Sequence, residues 1–162
     1  MDTLVATVFR HIGRACFPIE GGSLDRHHTF IVRYSADKDA GLDMHTDNSE
    51  VTFNVCLGRD FRAAGLTFCG EMGAPKHRHF SHRHEHSVGN CVVHLGRRRH
   101  GADDITDGER VNLIVWCHNR AYRASSAYLD LQQQRTLSRE AGPPAPACLS
   151  STHARDHPAS GR

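Results

Sequence analysis

Apolar and polar residues alternate along the middle of the chain in a way that predicts a series of short β-strands. Phe30, Val32 and Tyr34 fall on one face of the first strand, because side chains two apart point to the same side of a strand. The predicted strands are residues 28–34, 50–57, 65–69, 91–95 and 111–117. Turn-forming glycine and aspartate residues separate them, and this succession predicts an all-β sandwich or barrel.

Both ends of the chain depart from this pattern. Apolar residues within residues 1–17 recur near helical spacing, which predicts a short amphipathic helix that ends before Pro18. Residues 141–162 hold four of the six prolines and few large apolar side chains, so they cannot bury enough surface to offset the entropy lost on ordering. The predicted organisation is an N-terminal helical lead-in over residues 1–24, a β-domain over 25–120 and a C-terminal extension over 121–162, disordered from about residue 138.

The charge balance of the 162-residue chain argues against two classes of partner. Twenty lysines and arginines against 18 aspartates and glutamates give a net charge of +2, too small to predict a surface for nucleic acid or membrane. No apolar run reaches the roughly 20 residues of a membrane helix, and no signal-peptide pattern begins the chain. These features predict an intracellular protein, cytoplasmic or nuclear, whose oligomeric state the sequence leaves open.

The six cysteines show no motif for a metal or for redox chemistry. None forms a C-x-x-C pair, and Cys56, Cys91 and Cys117 lie in predicted strands, where a free thiol packs as a small apolar side chain. Because no secretion signal is present, we expect all six cysteines to be reduced.

The sharpest chemical feature is the sequence His45-Thr46-Asp47 together with the distant His100. Side chains at positions i and i+2 can point at one ion, and a histidine from another strand would complete three ligands on one face of an octahedron. Two histidines and one carboxylate leave the other positions open, as in the non-haem Fe(II) oxygenases. The chain has 14 histidines, so a chance His-x-Asp in a solvated turn is the alternative interpretation.

A second feature is Arg110, which follows His100 by ten positions at the start of the strongest predicted strand. It shares a strand face with Asn112, Ile114 and Trp116, so its guanidinium is predicted to point into the barrel. A buried guanidinium is costly unless it meets a carboxylate, which it can bind through two parallel hydrogen bonds. No acidic residue nearby is spaced to be that partner, and an external dicarboxylate is therefore the predicted ligand.

These residues resemble those of a known enzyme family. The stretches GLDMHTDNSEVTFNVCLG and RRRHGADDITDGERVNLIVWC resemble the 2-oxoglutarate- and Fe(II)-dependent dioxygenases, in particular the prolyl 4-hydroxylase-type branch. More narrowly, they are similar to the 2-oxoglutarate and iron-dependent oxygenase domain-containing proteins. The resemblance extends over about residues 25–120.

The resemblance implies a mainly β fold, the double-stranded β-helix or jelly-roll. The patterns at the two ends add a short N-terminal helix and a disordered C-terminal tail. In this family His45, Asp47 and His100 would hold Fe(II) at the open end of the barrel. The cosubstrate-binding residues that it implies are Arg110, Tyr34 and Asn54, with Arg110 on the distal carboxylate of 2-oxoglutarate.

The activity implied by the resemblance is hydroxylation of an unidentified substrate by dioxygen, with release of succinate and CO2. Family analogy suggests a protein side chain, such as proline or lysine, as the substrate. L-ascorbate is expected to restore oxidised iron. The alternative function is a catalytically incomplete jelly-roll that binds metal, because about 90 residues would have to supply the whole barrel.

Two groups of histidines allow more than one interpretation. Residues 76–86 carry five histidines, which fit either a solvated loop between barrel strands or a metal-scavenging segment. His94 lies upstream of His100, and we interpret it either as a core histidine with a satisfied hydrogen bond or as a pocket residue.

Overall fold

A computed structural model describes residues 1–79, 81–137 and 143–150, and within them nine β-strands are the main regular structure. The strands are β1 (Arg26–Ser35), β2 (Leu42–His45), β3 (Val51–Gly58), β4 (Phe61–Arg62), β5 (Gly65–Glu71), β6 (His82–Glu85), β7 (Cys91–Leu95), β8 (Arg98–Ala102) and β9 (Asp107–His118). The prediction of a mainly β protein is confirmed.

Helical segments lie at the two ends of the strand region. They are α1 (Asp2–Leu4), a π-helical turn (Val5–Phe9), α2 (Arg10–Cys16), α3 (Arg120–Arg123), α4 (Ser126–Leu137) and a 3-10 turn (Pro146–Cys148). None of the helices in the described ranges has the length and apolar character needed to cross a bilayer.

The strands form two antiparallel sheets. The larger sheet has the order β1-β9-β3-β7, with β4 added beside β9, and the smaller sheet has the order β2-β8-β5-β6. Beginning at β2, the chain passes repeatedly from one sheet to the other, as in a jelly-roll.

Five of the nine strands were predicted from the sequence, namely β1, β3, β5, β7 and β9. The other four escaped prediction because they are short or rich in polar residues. Strand β6 consists of His-Arg-His-Glu and β8 of Arg-Arg-His-Gly-Ala, so neither offers an apolar alternation to detect. These two strands nevertheless pair with β5, one on each side.

The N-terminal helical segment covers the outer face of the larger sheet. Val5 and Phe9 are buried there, and the ring of Phe9 stacks on Phe53 with the ring centroids 4.4 Å apart. Residues of β3, β7 and β9 that point away from the barrel interior complete this core. The predicted helix is confirmed, but other apolar residues in it, including Val8 and Ile12, are exposed.

Residues 143–150 form a short segment, here called the C-terminal clasp, that lies against the smaller sheet. A disulfide joins Cys148 to Cys69 of β5, and their Cα atoms are 5.9 Å apart. Cys148 O accepts a hydrogen bond from Arg99 Nη2, and Ser150 Oγ donates one to Asp43 Oδ2.

The clasp corrects two expectations. Cys69 and Cys148 are disulfide-bonded rather than reduced, because the chain folds back and brings them within bonding distance. The clasp is ordered, because Cys148 and Ser150 are buried, although the composition of the tail predicts disorder. The rest of the predicted disordered tail, residues 138–142 and 151–162, lies outside the described residues.

The histidine-rich segment also differs from its interpretation as a solvated loop. Residues 82–85 are a strand at the edge of the smaller sheet, and His77 and His86 on either side of it are buried. The segment is therefore part of the barrel wall, which the high density of His and Arg in its sequence concealed.

Candidate metal centre

His45, Asp47 and His100 come together at one end of the barrel. His45 and His100 face each other directly in the β2–β8 pairing, and Asp47 follows two residues after His45. Asp47 Oδ1 lies 3.5 Å from His45 Nε2, and Asp47 Oδ2 lies 3.6 Å from His100 Nε2. One ligand atom from each residue lies within 4.8 Å of the others, close enough for all three to reach a single ion.

Backbone carbonyls set the orientation of the two histidine rings. His45 Nδ1 lies 2.8 Å from Asp43 O, and His100 Nδ1 lies 3.0 Å from Arg98 O. A carbonyl oxygen only accepts, so Nδ1 carries the proton in each ring and Nε2 keeps a lone pair directed at the centre of the site. This tautomer is the one that a metal-ligating histidine needs.

The carboxylate of Asp47 is held in place by a short chain of hydroxyl groups. Thr52 Oγ1 donates to Asp47 Oδ2 over 2.7 Å, and Ser49 Oγ lies 2.7 Å from the same hydroxyl. Burial raises the pKa of Asp47, but the neighbouring His45 and His100 and the hydrogen bond from Thr52 outweigh this effect, so the pKa lies below its ordinary value. Asp47 is therefore an anion at neutral pH.

Burial and the neighbouring His94 lower the pKa of His100, so its ring is neutral at pH 7. An anionic carboxylate with two histidine rings that can each present an unprotonated Nε2 is the state in which these groups bind a cation.

His94 of β7 is a third histidine at this site, and the sequence left its role open. It is buried, its Nδ1 lies 3.1 Å from Leu95 O, and its Nε2 lies 3.9 Å from Asp47 Oδ2. Its ring centroid is 4.4 Å from that of His100. His94 Nε2 has no hydrogen-bond partner among the described residues, and His94 does not line the cavity beside the site, so it fits the core interpretation and contacts the candidate ligands from behind.

A cavity of about 260 Å³, here called the inner cavity, extends from these residues into the barrel. Its walls are largely apolar. They include Phe30, Val32, Tyr34, Leu42, Leu66, Ala102, Ile114 and Trp116, together with His45, Asp47, Thr52, Asn54 and His100. The predicted residues Tyr34 and Asn54 thus lie in the same cavity as the three candidate ligands.

Arg110 lies behind the wall of the inner cavity and is fully buried. Its Nη1 donates to Gly65 O over 3.0 Å, and its Cζ lies 4.7 Å from the centroid of the Tyr34 ring. Its Nε and Nη2 have no hydrogen-bond partner in the described part of the chain. Arg110 does not line the inner cavity, but Tyr34, whose ring it contacts, does.

Two asparagines and a histidine lie near Arg110. Asn112 Nδ2 donates to Asn54 Oδ1 over 2.9 Å and lies 3.4 Å from His86 Nδ1. Burial and the positive charge of Arg110 lower the pKa of His86 to about 4, so it is neutral at pH 7. Sequence reasoning assigned no role to His86. The available signal was its spacing of two residues from His84, which places both side chains on the same face of a strand.

No protein-family model matches the chain, but individual proteins do. It is 38% identical over 135 residues to the 2-oxoglutarate and iron-dependent oxygenase domain-containing protein ICU11 of Arabidopsis thaliana, an alignment that covers 79% of this chain and 34% of that protein. It is 43% identical over 103 residues to the 2-oxoglutarate and iron-dependent oxygenase domain-containing protein 2 of Mus musculus, which covers 64% of this chain and 30% of the relative.

The chain is homologous to these oxygenase domain-containing proteins. The family resemblance predicted from His45, Asp47, His100 and Arg110 is therefore confirmed. The chain spans about a third of the length of the curated relatives that it matches.

A solved structure supports the assignment of the fold. The crystal structure of a Pseudomonas putida prolyl-4-hydroxylase aligns with a TM-score of 0.52 at 19% identity, over 72% of this chain and 63% of that one. At this identity the likeness concerns the fold alone, and it confirms the jelly-roll of the 2-oxoglutarate- and Fe(II)-dependent oxygenases.

Proposed function

We propose that the chain is an Fe(II)- and 2-oxoglutarate-dependent dioxygenase domain that hydroxylates a substrate with release of succinate and CO2. The observation that carries the proposal is the convergence of His45, Asp47 and His100 on one point at the mouth of an apolar cavity. The homologues support the class of reaction, and the geometry supports the assignment of roles to individual residues. We assign the catalytic jelly-roll to residues 25–120.

The residues present fit a divalent iron ion. The two Nε2 lone pairs and the carboxylate of Asp47 supply nitrogen and oxygen ligands on one side, and the cavity supplies space on the other. The set carries one negative charge, which offsets part of the charge of the cation. His45, Asp47 and His100 would hold the ion, while Thr52 fixes the carboxylate orientation.

The residues around Arg110 fit the distal carboxylate of 2-oxoglutarate. Arg110 Nε and Nη2 are adjacent donors of one guanidinium and are buried without a hydrogen-bond partner among the described residues, which suits a carboxylate that accepts from both. Tyr34 stacks on this guanidinium, and its ring would have to shift for a carboxylate in the cavity to reach it. Asn54 presents its amide in the same cavity.

Each part of the chain then has a defined task in the reaction. When bound, Fe(II) and 2-oxoglutarate supply the oxidising power, which ends in succinate, CO2 and a hydroxylated substrate. Arg110, Tyr34 and Asn54 orient the cosubstrate, and the apolar wall keeps bulk water away from the reacting carbon. L-ascorbate would return oxidised iron to the ferrous state, and a protein side chain such as proline or lysine is the substrate suggested by the family.

Succinate formation tests this proposal without knowledge of the substrate. Protein loaded anaerobically with Fe(II) is given 2-oxoglutarate, ascorbate and dioxygen, and succinate is measured for wild type, Asp47→Ala and Arg110→Lys. We expect slow uncoupled turnover in wild type and a loss of at least about 100-fold in both variants. Arg33→Gln, an exposed arginine on β1, is the matched control and should keep wild-type turnover.

The same assay distinguishes the proposed function from the alternative function. A folded protein that binds one Fe(II) yet forms no succinate would contradict the proposal and support an incomplete metal-binding jelly-roll. Metal binding by the histidine-rich segment is distinguished by His79→Asn and His82→Asn, which should leave the tight site intact. If those variants abolish metal binding, the His45–Asp47–His100 site is wrong.

A further inference from the structure

A second cavity, here called the outer cavity, opens at the mouth of the barrel and has a volume of about 420 Å³. Three arginines and three histidines contribute to its wall, and none of the described residues that line it is a carboxylate. The lining residues are Arg26, His27, His28, Asn48, Trp116, His118, Arg120 and Arg123. A concave surface in which cations predominate and acids are missing from the lining attracts anions more strongly than the small net charge of the chain would suggest.

The outer cavity adjoins the inner cavity through Trp116, which lines both. The register of β1 and β9 shows how the lining changes from the outer cavity to the inner cavity. Along β1 and β9, Arg26 pairs with His118 and His28 with Trp116, and further in Phe30 pairs with Ile114. The same face of this strand pair therefore changes from basic at Arg26 and His118 to apolar at Phe30 and Ile114 toward the barrel interior.

The arginines of the outer cavity are held from behind by carboxylates that do not line it. Arg120 Nε lies 2.9 Å from Asp25 Oδ2, and Arg123 Nε lies 2.6 Å from Glu50 Oε1. Arg120 makes its contact through Nε, so its terminal N–H groups can still donate to a ligand. Arg123 Nη2 also donates to Asn48 Oδ1 over 3.0 Å and lies 3.1 Å from His118 Nδ1, which leaves Nη1 for a ligand. Such anchoring fixes the direction of a cationic group without filling its hydrogen-bonding capacity.

Arg26 differs from its neighbours because its side chain makes no ion pair or hydrogen bond within the described ranges. It is exposed at the rim, whereas Arg123 is half-buried deeper in the wall. Arg26 therefore contributes an uncompensated positive charge to a cavity whose other arginines already have a carboxylate partner.

We propose that the outer cavity binds an anionic group of the substrate, a carboxylate or a phosphate, while an adjoining apolar part enters the inner cavity past Trp116. This inference rests on the proposed function, which it extends from the reaction to the class of substrate. The oxyanion accepts hydrogen bonds from Arg26, Arg120 and Arg123, and the flat face of Trp116 contacts the part that follows it.

The sole tryptophan of the chain gives a direct measurement that needs no turnover. Metal-free, full-length protein is titrated with inorganic phosphate and, separately, with a hexapeptide of glutamate, while Trp116 emission is recorded at constant ionic strength. We expect a saturable change with at least one probe and none with a lysine hexapeptide. Arg26→Gln and Arg120→Gln should each weaken binding about fivefold or more.

Arg33→Gln is the matched control, since it removes the same charge from β1 on the side of the strand away from the cavity, and it should bind as wild type does. Saturation by phosphate alone indicates a small or phosphorylated substrate, and saturation by the glutamate peptide indicates an acidic polypeptide. No saturable response to either probe, or equal affinity in wild type and Arg26→Gln, overturns the inference. The succinate assay is independent of this result, so the two proposals can fail separately.

Discussion

The two ends of the barrel interior both present arginine, but in opposite physical states. At the inner end Arg110 is fully buried, and its Nε and Nη2 find no hydrogen-bond partner in the described residues. At the outer end Arg120 and Arg123 each contact a carboxylate. Burying an unpaired cation lowers stability, and so does breaking an ion pair whose carboxylate is buried, as Glu50 is, whereas the exposed Arg120–Asp25 pair contributes little.

This difference suits the two groups of arginines to different ligands. A buried, unpaired guanidinium binds most tightly a ligand that brings a carboxylate in one fixed orientation, because that carboxylate removes the free-energy cost of the unpaired charge. Exposed and anchored arginines draw in anions of varied shape. The inner end therefore suits one invariant cosubstrate, and the outer end suits a larger substrate that must be recognised and released.

The largest effect is expected from Arg110→Met, which replaces the buried charge with an apolar chain of similar length. The affinity for 2-oxoglutarate, measured by calorimetry on Mn(II)-loaded protein, should fall at least about 100-fold because the carboxylate loses its partner. The free energy of unfolding should rise by about 1 kcal/mol in the absence of ligand, because the desolvation cost disappears. If Arg110→Met keeps the wild-type affinity for 2-oxoglutarate, Arg110 does not bind the cosubstrate.

The same replacement at the outer end, Arg123→Met, should change stability in the opposite direction. Glu50 is buried with 3% of its side chain exposed, and the variant removes its ion pair with Arg123. We expect the free energy of unfolding to fall by about 2–3 kcal/mol in urea denaturation, and the additional change Glu50→Gln to restore part of this loss. If Arg110→Met and Arg123→Met change the free energy of unfolding in the same direction and by the same amount, the proposed difference between the two arginines is wrong.

A smaller effect, which depends on pH, is expected from His86. Burial and Arg110 lower its pKa to about 4 in the folded protein, against an ordinary value of 6.5. The unfolded chain therefore binds the proton first, and the free energy of unfolding should fall as the pH falls from about 6.5 to 4, by roughly 1–3 kcal/mol. His86→Gln should remove this part of the pH dependence, as urea titrations across that range would measure. An unchanged slope would mean that His86 is accessible to water.

The sequence identified the three residues that meet at the candidate site better than it identified their surroundings. His45 and Asp47 were predictable because they are only two residues apart, and His100 because Arg110 follows it at the spacing that the family resemblance implies. His94 and His86 were harder to assign, since burial of a histidine depends on which strand lies opposite. Strand β6 provides no periodic signal because apolar residues are absent from it.

Contacts between distant parts of the chain explain the remaining differences. Cys69 and Cys148 are 79 positions apart, and no local pattern indicates that a proline-rich tail returns to β5. In the N-terminal helix, the Val5–Phe9 side and the Val8–Ile12 side are both apolar, so only the position of Phe53 decides which one is buried.

Strand β2 carries one candidate ligand and leads directly into a second, although it has four residues and β8 is its one strand partner in the part of the chain that the structure describes. Its register with β8 is irregular, and its further support includes the hydrogen bond from Ser150 of the clasp to Asp43. An edge strand of this kind opens locally more readily than the central strands. Local opening of β2 would move His45 away from the other two candidate ligands. Amide hydrogen exchange in β2 should therefore slow far more than in β3 or β9 when a divalent ion is added.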